Sequence, residues 1–256
     1  MRESFLLSWH IVRRNWLVYQ KDLLANISPS LAEPAFLLLS LGVGLGVFIT
    51  NVDGMSYAQY LAPGLAVSTA MFTSFFESSY GFYVRMTFEN IFKAMLTTPI
   101  GVEEIAIGEF IWVSIKGAIM ITLVGLFLMP FEMWRDPWLI VFLPIAGILT
   151  ALPLGAMGLL ASCKVHNINQ FQTIYSFIIA PLYFFSGTFF PIAQMPEPLQ
   201  IVAKALPVYH SVRLSQSLFW HESVVQTWLT HGPILIGYSL VLTVLALRSV
   251  RRKLLA

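Results

Sequence analysis

Charge is what this sequence most lacks. Only 11% of its 256 residues are charged, against 57% hydrophobic. Soluble domains carry about 25% charge. A chain with so little polar surface does not stay in water at this size, which excludes a soluble enzyme and a disordered protein. The net charge of +2 gives no general attraction to polyanions, which excludes a nucleic-acid partner. A single cysteine, Cys163, excludes an intrachain disulfide. Chemistry is scarce too. There is no Gly-x-x-x-x-Gly-Lys-Ser/Thr, so no P-loop binds ATP in this chain. The histidines, at 10, 166, 210, 221 and 231, have no metal-ligand spacing. The Gly-x-Ser-x-Gly nucleophile elbow is missing. The expectation is no catalytic residue, no metal and no cofactor.

What the sequence has is apolar length, with a mean hydropathy of +0.75. Six runs, at roughly 31–50, 57–80, 105–129, 138–161, 169–188 and 230–248, approach the 20 or so residues that a spanning helix needs. They are continuous rather than alternating, which excludes a β-barrel. The expected fold is therefore an all-α integral membrane protein with six transmembrane helices, a single domain over 1–256. With both ends inside, eleven of the fifteen Lys and Arg fall in cytoplasmic segments. Arg85 and Lys93 are among them, and only Arg135, Lys204 and Arg213 fall outside. The positive-inside rule favours that arrangement. Trp134, Trp138 and Trp228 are expected at the outer interface. The opening Met1-Arg2-Glu3 predicts no cleavable signal peptide.

Three segments are apolar without being spans. Over 3–27, within a segment 1–30, Phe5, Trp9, Val12, Trp16, Tyr19, Leu23 and Ile27 form one stripe at helical spacing. Arg13, Arg14 and Lys21 lie off it. Two placements fit: a helix lying in the cytoplasmic interface, or one docked on the protein's own spans. In the cytoplasmic stretch 85–104, Thr87 is the expected N-cap, and Phe88, Ile91, Phe92, Met95 and Leu96 follow helical periodicity. Such a face suits a groove on another protein or folds back on the membrane or the N-terminal helix. The outer segment 187–229 holds Pro191, Pro196, Pro198 and Pro207, which forbid one continuous helix. Two short helices, about 198–206 and 208–219, fit the spacing as a re-entrant pair or as a surface cap.

Within the spans, Glu77 and Lys116 sit at similar depth, about 12–17 Å from the cytoplasmic edge at helical rise. Unpaired charge at that depth is costly, so the expectation is a Glu77–Lys116 pair. The alternative is that each snorkels separately. Glu33, before Pro34, is expected to face the headgroups. Gly42 with Gly46, and Gly155 with Gly158, are expected to let helices approach closely. His210 reads as a packed interfacial residue rather than a catalyst.

The stretches Gly-Val-Gly-Leu-Gly-Val (42–47), Val-Asp-Gly-Met-Ser-Tyr (52–57) and Phe-Glu-Ser-Ser-Tyr-Gly (76–81) carry a more specific likeness. So do Tyr-Phe-Phe-Ser-Gly-Thr-Phe-Phe-Pro-Ile-Ala-Gln-Met-Pro (183–196) and Ala-Leu-Pro-Val-Tyr-His-Ser (205–211). With them the chain resembles, over nearly its whole length, an ABC-2 type permease of the nodulation protein J branch. The Phe-Ser-Gly-x-x-Phe-Pro element at 185–191 is the most diagnostic piece. The 131–138 loop and the C-terminal tail depart from the pattern. The resemblance implies a homodimer in the bacterial inner membrane, each copy contacting one ATPase subunit that binds ATP and Mg. It makes Phe88, Glu89, Ile91, Phe92, Met95 and Leu96 a coupling helix, so that Phe92→Asp loses the ATPase. It gives the outer motif through Ser186, Gly187, Phe190, Pro191, Pro196, Pro207 and His210. It implies export of an amphiphile, a lipid-linked oligosaccharide, glycolipid or hydrophobic drug. Two other classes compete. A membrane enzyme acting on lipids needs clustered His, Asp or Ser at the interface, and the chain lacks them. A secondary transporter often carries internal repeats, and none is visible.

Overall fold

A computed structural model describes residues 2–49 and 51–255. Met1, Thr50, Ala256 and the side chains of Arg2 and Glu3 lie outside the described residues. The limits of the 1–256 domain and the last residue of the first predicted span fall there. Helices carry most of the chain. Among the described residues, the isolated pairing of extended backbone is a bridge between Val52 and Met55.

The N-terminal stretch is two helices rather than one. Helix α1, Arg2–Lys21, ends at Asp22, whose backbone (φ −130°, ψ 48°) leaves the helical region. Asp competes with helix through its short polar side chain. Its carbonyl then accepts from the Asn26 N–H at 2.9 Å and starts α2, Leu23–Val47. The apolar stripe of α1 also divides. Val12 and Tyr19 turn inward with Ser8, Ile11 and Asn15, while Phe5 (58% exposed), Trp9 and Trp16 face out. The inner face crosses α5, Val102–Phe127, at Gly108. A Cβ there would lie 2.8 Å from Ser8's carbonyl oxygen, so a side chain would push α1 away.

Tyr57–Phe76 runs through a wide π-helical turn, Glu77–Gly81, into Phe82–Thr87, and 57–87 together form α3. Ser56 caps it, accepting from the Gln59 N–H at 3.3 Å while Gln59 Oε1 accepts from the Ser56 N–H. Helix α3 is the buried axis of the molecule. Its upper part, 60–71, has no exposed side. Helix α6, Leu143–Lys164, lies against its π turn. A Cβ at Gly158 would meet Ser78 Oγ at 2.2 Å and the Phe75 carbonyl oxygen at 2.7 Å, and one at Gly155 would meet Val113 Cγ1 at 2.8 Å. A Cβ at Gly42 would likewise stand 3.1 Å from Ala58 Cβ, so the glycine permits a close approach there. Gly46 does not, since a Cβ there would meet nothing closer than Tyr57 Cβ at 3.9 Å, an ordinary contact.

The helix expected over 87–96 is corrected. Thr87 ends α3 rather than capping a new helix. Asn90 takes a left-handed conformation (φ 53°, ψ 25°), which Asn tolerates better than most residues. Only Ile91–Met95 then forms a short helix, α4. Phe92 points inward and is fully buried, its ring 4.6 Å from that of Phe82.

Beyond α6, three five-residue segments run end to end over 170–184 and form α7. Then come α8, Glu197–Lys204, α9, Pro207–Trp220, and α10, Val224–Leu255. Helices α8 and α9 match the expected short pair closely. Pro198 and Pro207 sit in their first turns, where a missing N–H costs no helical bond. Helix α9 is buried along most of its length against α3, α6 and α10. It serves the interior as well as the end of the molecule. Trp134, expected at a lipid interface, is instead buried, stacked 3.8 Å from Phe219 of α9.

Among the described residues, four helical stretches are long and apolar enough to cross a membrane: Leu23–Val47, Val102–Phe131, Pro137–Lys164 and Val224–Leu255. The other two expected spans differ from these. Helix α3 carries Ser68, Thr69, Thr73 and Ser74 through its middle. Helix α7, at about 1.5 Å rise per residue, reaches about 22 Å, short of a hydrocarbon core of about 30 Å.

Candidate functional site

Four charged residues of the apolar body, Glu77, Arg85, Glu109 and Lys116, meet toward the end of the molecule where α1, α4 and the C-terminus of α10 gather. Lys116 of α5 donates to Glu77 Oε2 at 2.6 Å, so the structure brings the expected pair together. It also brings two residues that the sequence reading left elsewhere. Arg85, two turns from Glu77 on α3, folds back. Its Nη1 donates to Glu77 Oε1 at 2.8 Å, and its Nη2 donates to Glu109 Oε2 at 2.7 Å. Gly81 gives it room, since a Cβ there would already stand 3.4 Å from Arg85 Nη1. Asn15 Nδ2 donates to Glu109 Oε1 at 3.1 Å, and Arg14 donates to Asn15 Oδ1 at 3.0 Å. The Lys116 ammonium lies 5.2 Å from the Tyr19 ring centre, within cation–π range.

Glu109 is fully buried, and the side chains of Glu77, Arg85 and Lys116 are each 14% exposed. Two cations against two carboxylates leave this quartet neutral. In a medium of low polarity each charge needs its partners, so α1, α3 and α5 do not slide past one another without breaking the set. Arg14 stands at the edge of the network. Burial, and next the nearby Arg85, hold its guanidinium below its ordinary pKa. A cavity of about 500 Å³ opens between Arg14 and Lys116, and a second of about 410 Å³ lies beyond Glu77 toward α2 and α7.

Sequence reasoning missed Glu109 and Asn15 and assigned Arg85 to a loop. One signal was available for Glu109. It precedes Lys116 by seven residues in an apolar helix, which puts both on one face.

The residues of the expected coupling element do not share a surface. Phe88 (61% exposed) and Glu89 face outward, Ile91, Met95 and Leu96 are half-buried, and Phe92 is interior. Phe92, assigned to the docking face, lies instead in the interior, so Phe92→Asp would strike the core.

The outer motif forms a tight fold-back at the opposite end. Ser186 is buried and donates to the Tyr183 carbonyl at 2.6 Å. Gly187 has φ +85°, a conformation that favours glycine, and its carbonyl accepts from the Tyr60 hydroxyl at 2.9 Å. Pro191 starts the turn over Ile192–Gln194, whose third residue donates back to the Pro191 carbonyl at 3.0 Å. Phe190 and Pro196 are exposed. Pro207 opens α9, and His210 is buried with Nδ1 2.7 Å from Nδ1 of His231 on α10. Pro63 of α3, lacking an N–H, leaves the Gln59 carbonyl without its helical donor. The Trp220 indole N–H supplies one at 3.3 Å.

A family model for the ABC-2 type transporter matches residues 7–220, which takes in both the charge network and the outer motif. Nodulation protein J of Rhizobium leguminosarum bv. viciae is 32% identical over 252 residues, 97% of this chain and 96% of that protein. Nodulation protein J of Rhizobium meliloti (strain 1021) is 30% identical over 243 residues, 95% of this chain and 92% of that one. The inner membrane transport permease YadH of Escherichia coli (strain K12) is 23% identical over 171 residues, 66% of this chain and 65% of that one. A family match over most of the length, and relatives matched nearly end to end, place the chain in the ABC-2 type transporter family, as a multi-pass membrane protein.

Proposed function

We propose that the chain is the permease subunit of a bacterial ABC exporter. Two copies pair in the inner membrane, each with six spans and cytoplasmic termini. Each copy contacts one separate ATPase subunit, which binds ATP and Mg. An amphiphile, a lipid-linked oligosaccharide, glycolipid or hydrophobic drug, moves from the inner leaflet outward. The family membership supports the transport role, and the name of the Escherichia coli relative supports the inner membrane. In this reading α1 lies in the cytoplasmic interface, its exposed Phe5, Trp9 and Trp16 in lipid. Helices α8 and α9 form the re-entrant pair.

The observation that carries the reading is the continuity of α3. Its last residue, Thr87, leads directly into the exposed Phe88 and Glu89, while Arg85, two residues earlier, holds Glu77 and Glu109. A push on Phe88 and Glu89 by closing ATPases therefore reaches the charge network through a rigid helix. Alternating access follows if the two states of the ATPase pair favour different positions of α3 against α1 and α5. Ile91, Met95 and Leu96 anchor the segment that follows by packing on the core.

The test is co-purification of the tagged chain with its ATPase from native membranes. The unmodified chain and Phe92→Leu retain the ATPase, and Phe88→Asp with Lys93→Glu loses it. Retention by the double variant, with an unchanged ATPase stoichiometry, overturns the coupling assignment.

A further inference from the structure

The cavity of about 410 Å³ beside the charge network has walls that the network does not use. One wall is aromatic. The Phe76 and Tyr175 rings stack with centres 5.6 Å apart, and Phe72 stands 6.0 Å from Tyr175. Helix α2 contributes Glu33, an exposed residue, to the same cavity. Among the described residues Glu33 has no hydrogen-bond or ion-pair partner. The other acid on the wall, Glu77, is shared by Arg85 and Lys116. Because Arg85, Lys116, Glu77 and Glu109 balance, Glu33 sets the sign of the cavity, and that sign is negative. The neighbouring cavity holds Arg14 together with Asp22 and Glu89, so it supplies no surplus cation.

An exposed carboxylate on α2 that lines the same cavity as aromatic rings suits one chemistry well. The ring faces are electron-rich and attract a cation, and Glu33 supplies its counter-charge. An anionic head would meet Glu33 uncompensated. A neutral head would leave the charge of the exposed carboxylate unanswered. The volume suits a drug-sized molecule, since such sites run about 300–1,000 Å³. We infer that this cavity binds a lipophilic organic cation, an amine, quaternary ammonium or phosphonium, with Glu33 as counter-ion and Phe72, Phe76 and Tyr175 as its aromatic wall. The site names a substrate class for the proposed exporter and rests on that reading for its role in transport.

Tetraphenylphosphonium and tetraphenylborate have the same shape and opposite charge, so they isolate the sign. Binding of radiolabelled tetraphenylphosphonium is measured on the full chain with its ATPase in nanodiscs, above empty nanodiscs. The expected result is saturable binding that tetraphenylborate does not compete. Glu33→Gln weakens it on the order of tenfold, a loss of one ion pair of about 1.4 kcal/mol. Phe76→Ala weakens it severalfold, and Glu33→Asp retains most of it. Equal affinity in Glu33→Gln, or competition by tetraphenylborate on the unmodified protein, overturns the inference. The second arm needs no variant to fold. A complex that forms and hydrolyses ATP yet does not prefer the cation defeats the inference and leaves the exporter reading standing. A chain that recruits no ATPase yet binds the cation through Glu33 does the reverse.

Discussion

Arg85 answers two carboxylates at once, and one of them, Glu109, has no contact with solvent. Removing one member of such a set leaves an unpaired buried charge, which costs about 3–5 kcal/mol. Arg85→Met is therefore expected to lower the thermal midpoint of the detergent-solubilised protein strongly. Combining it with Glu109→Gln is expected to recover part of the loss, a non-additivity that a double-mutant cycle reads directly. Additive losses would show that the two do not interact. A second residue-scale expectation concerns pH. Burial lowers the pKa of His210 below its ordinary 6.5. The unfolded chain then binds a proton that the folded one resists, so this stability is present above about 6.5 and is lost as pH falls below it. A thermal midpoint that declines below that pH, with a shallower decline in His210→Asn, is the expected result. The Glu77–Lys116 pair was legible in the sequence because two charges inside apolar runs are conspicuous. Arg85 was not, because at the end of an apolar run it looks like any cytoplasmic arginine. Nothing in the pattern says that Gly81 lets it fold back.

Helices α1 and α4 differ from their sequence patterns for opposite reasons. In α1 the polar Ser8 and Asn15, which are not part of the apolar stripe, turn inward, and Asn15 satisfies a buried carboxylate. The single stripe of the sequence divides, with Val12 and Tyr19 packed inward and Phe5, Trp9 and Trp16 facing out. In α4 the periodic spacing was real, but a left-handed Asn90 resets the phase and buries Phe92. No periodicity reports a single positive φ. Phe92→Ala is expected to destabilise the protein by about 3–5 kcal/mol, as loss of a buried aromatic does. Phe88→Asp is expected to leave the melting curve nearly unchanged. The reverse order of effects would place Phe88 in the core. Helices α8 and α9, in contrast, were legible to within about two residues, because proline marks a helix start by a backbone constraint that packing does not alter.

At the scale of the whole molecule, the positive residues define one end and the proline-rich fold-back the other. In a Cys163→Ser background, a cysteine at Lys93 is expected to react with a membrane-impermeant thiol reagent only from the cytoplasmic side, and one at Glu222 only from outside. Labelling of both from one side would contradict the orientation. The central claim is that this chain moves an amphiphile outward only when a separate ATPase drives it. Its most direct test is transport in proteoliposomes holding the permease with or without that ATPase, loaded with a fluorescent lipophilic substrate and supplied with Mg-ATP on the face bearing Phe88. The account predicts directional movement that needs both proteins and ATP hydrolysis and that stops with Phe88→Asp plus Lys93→Glu. Movement at the same rate without the ATPase, or driven by an ion gradient alone, would contradict it.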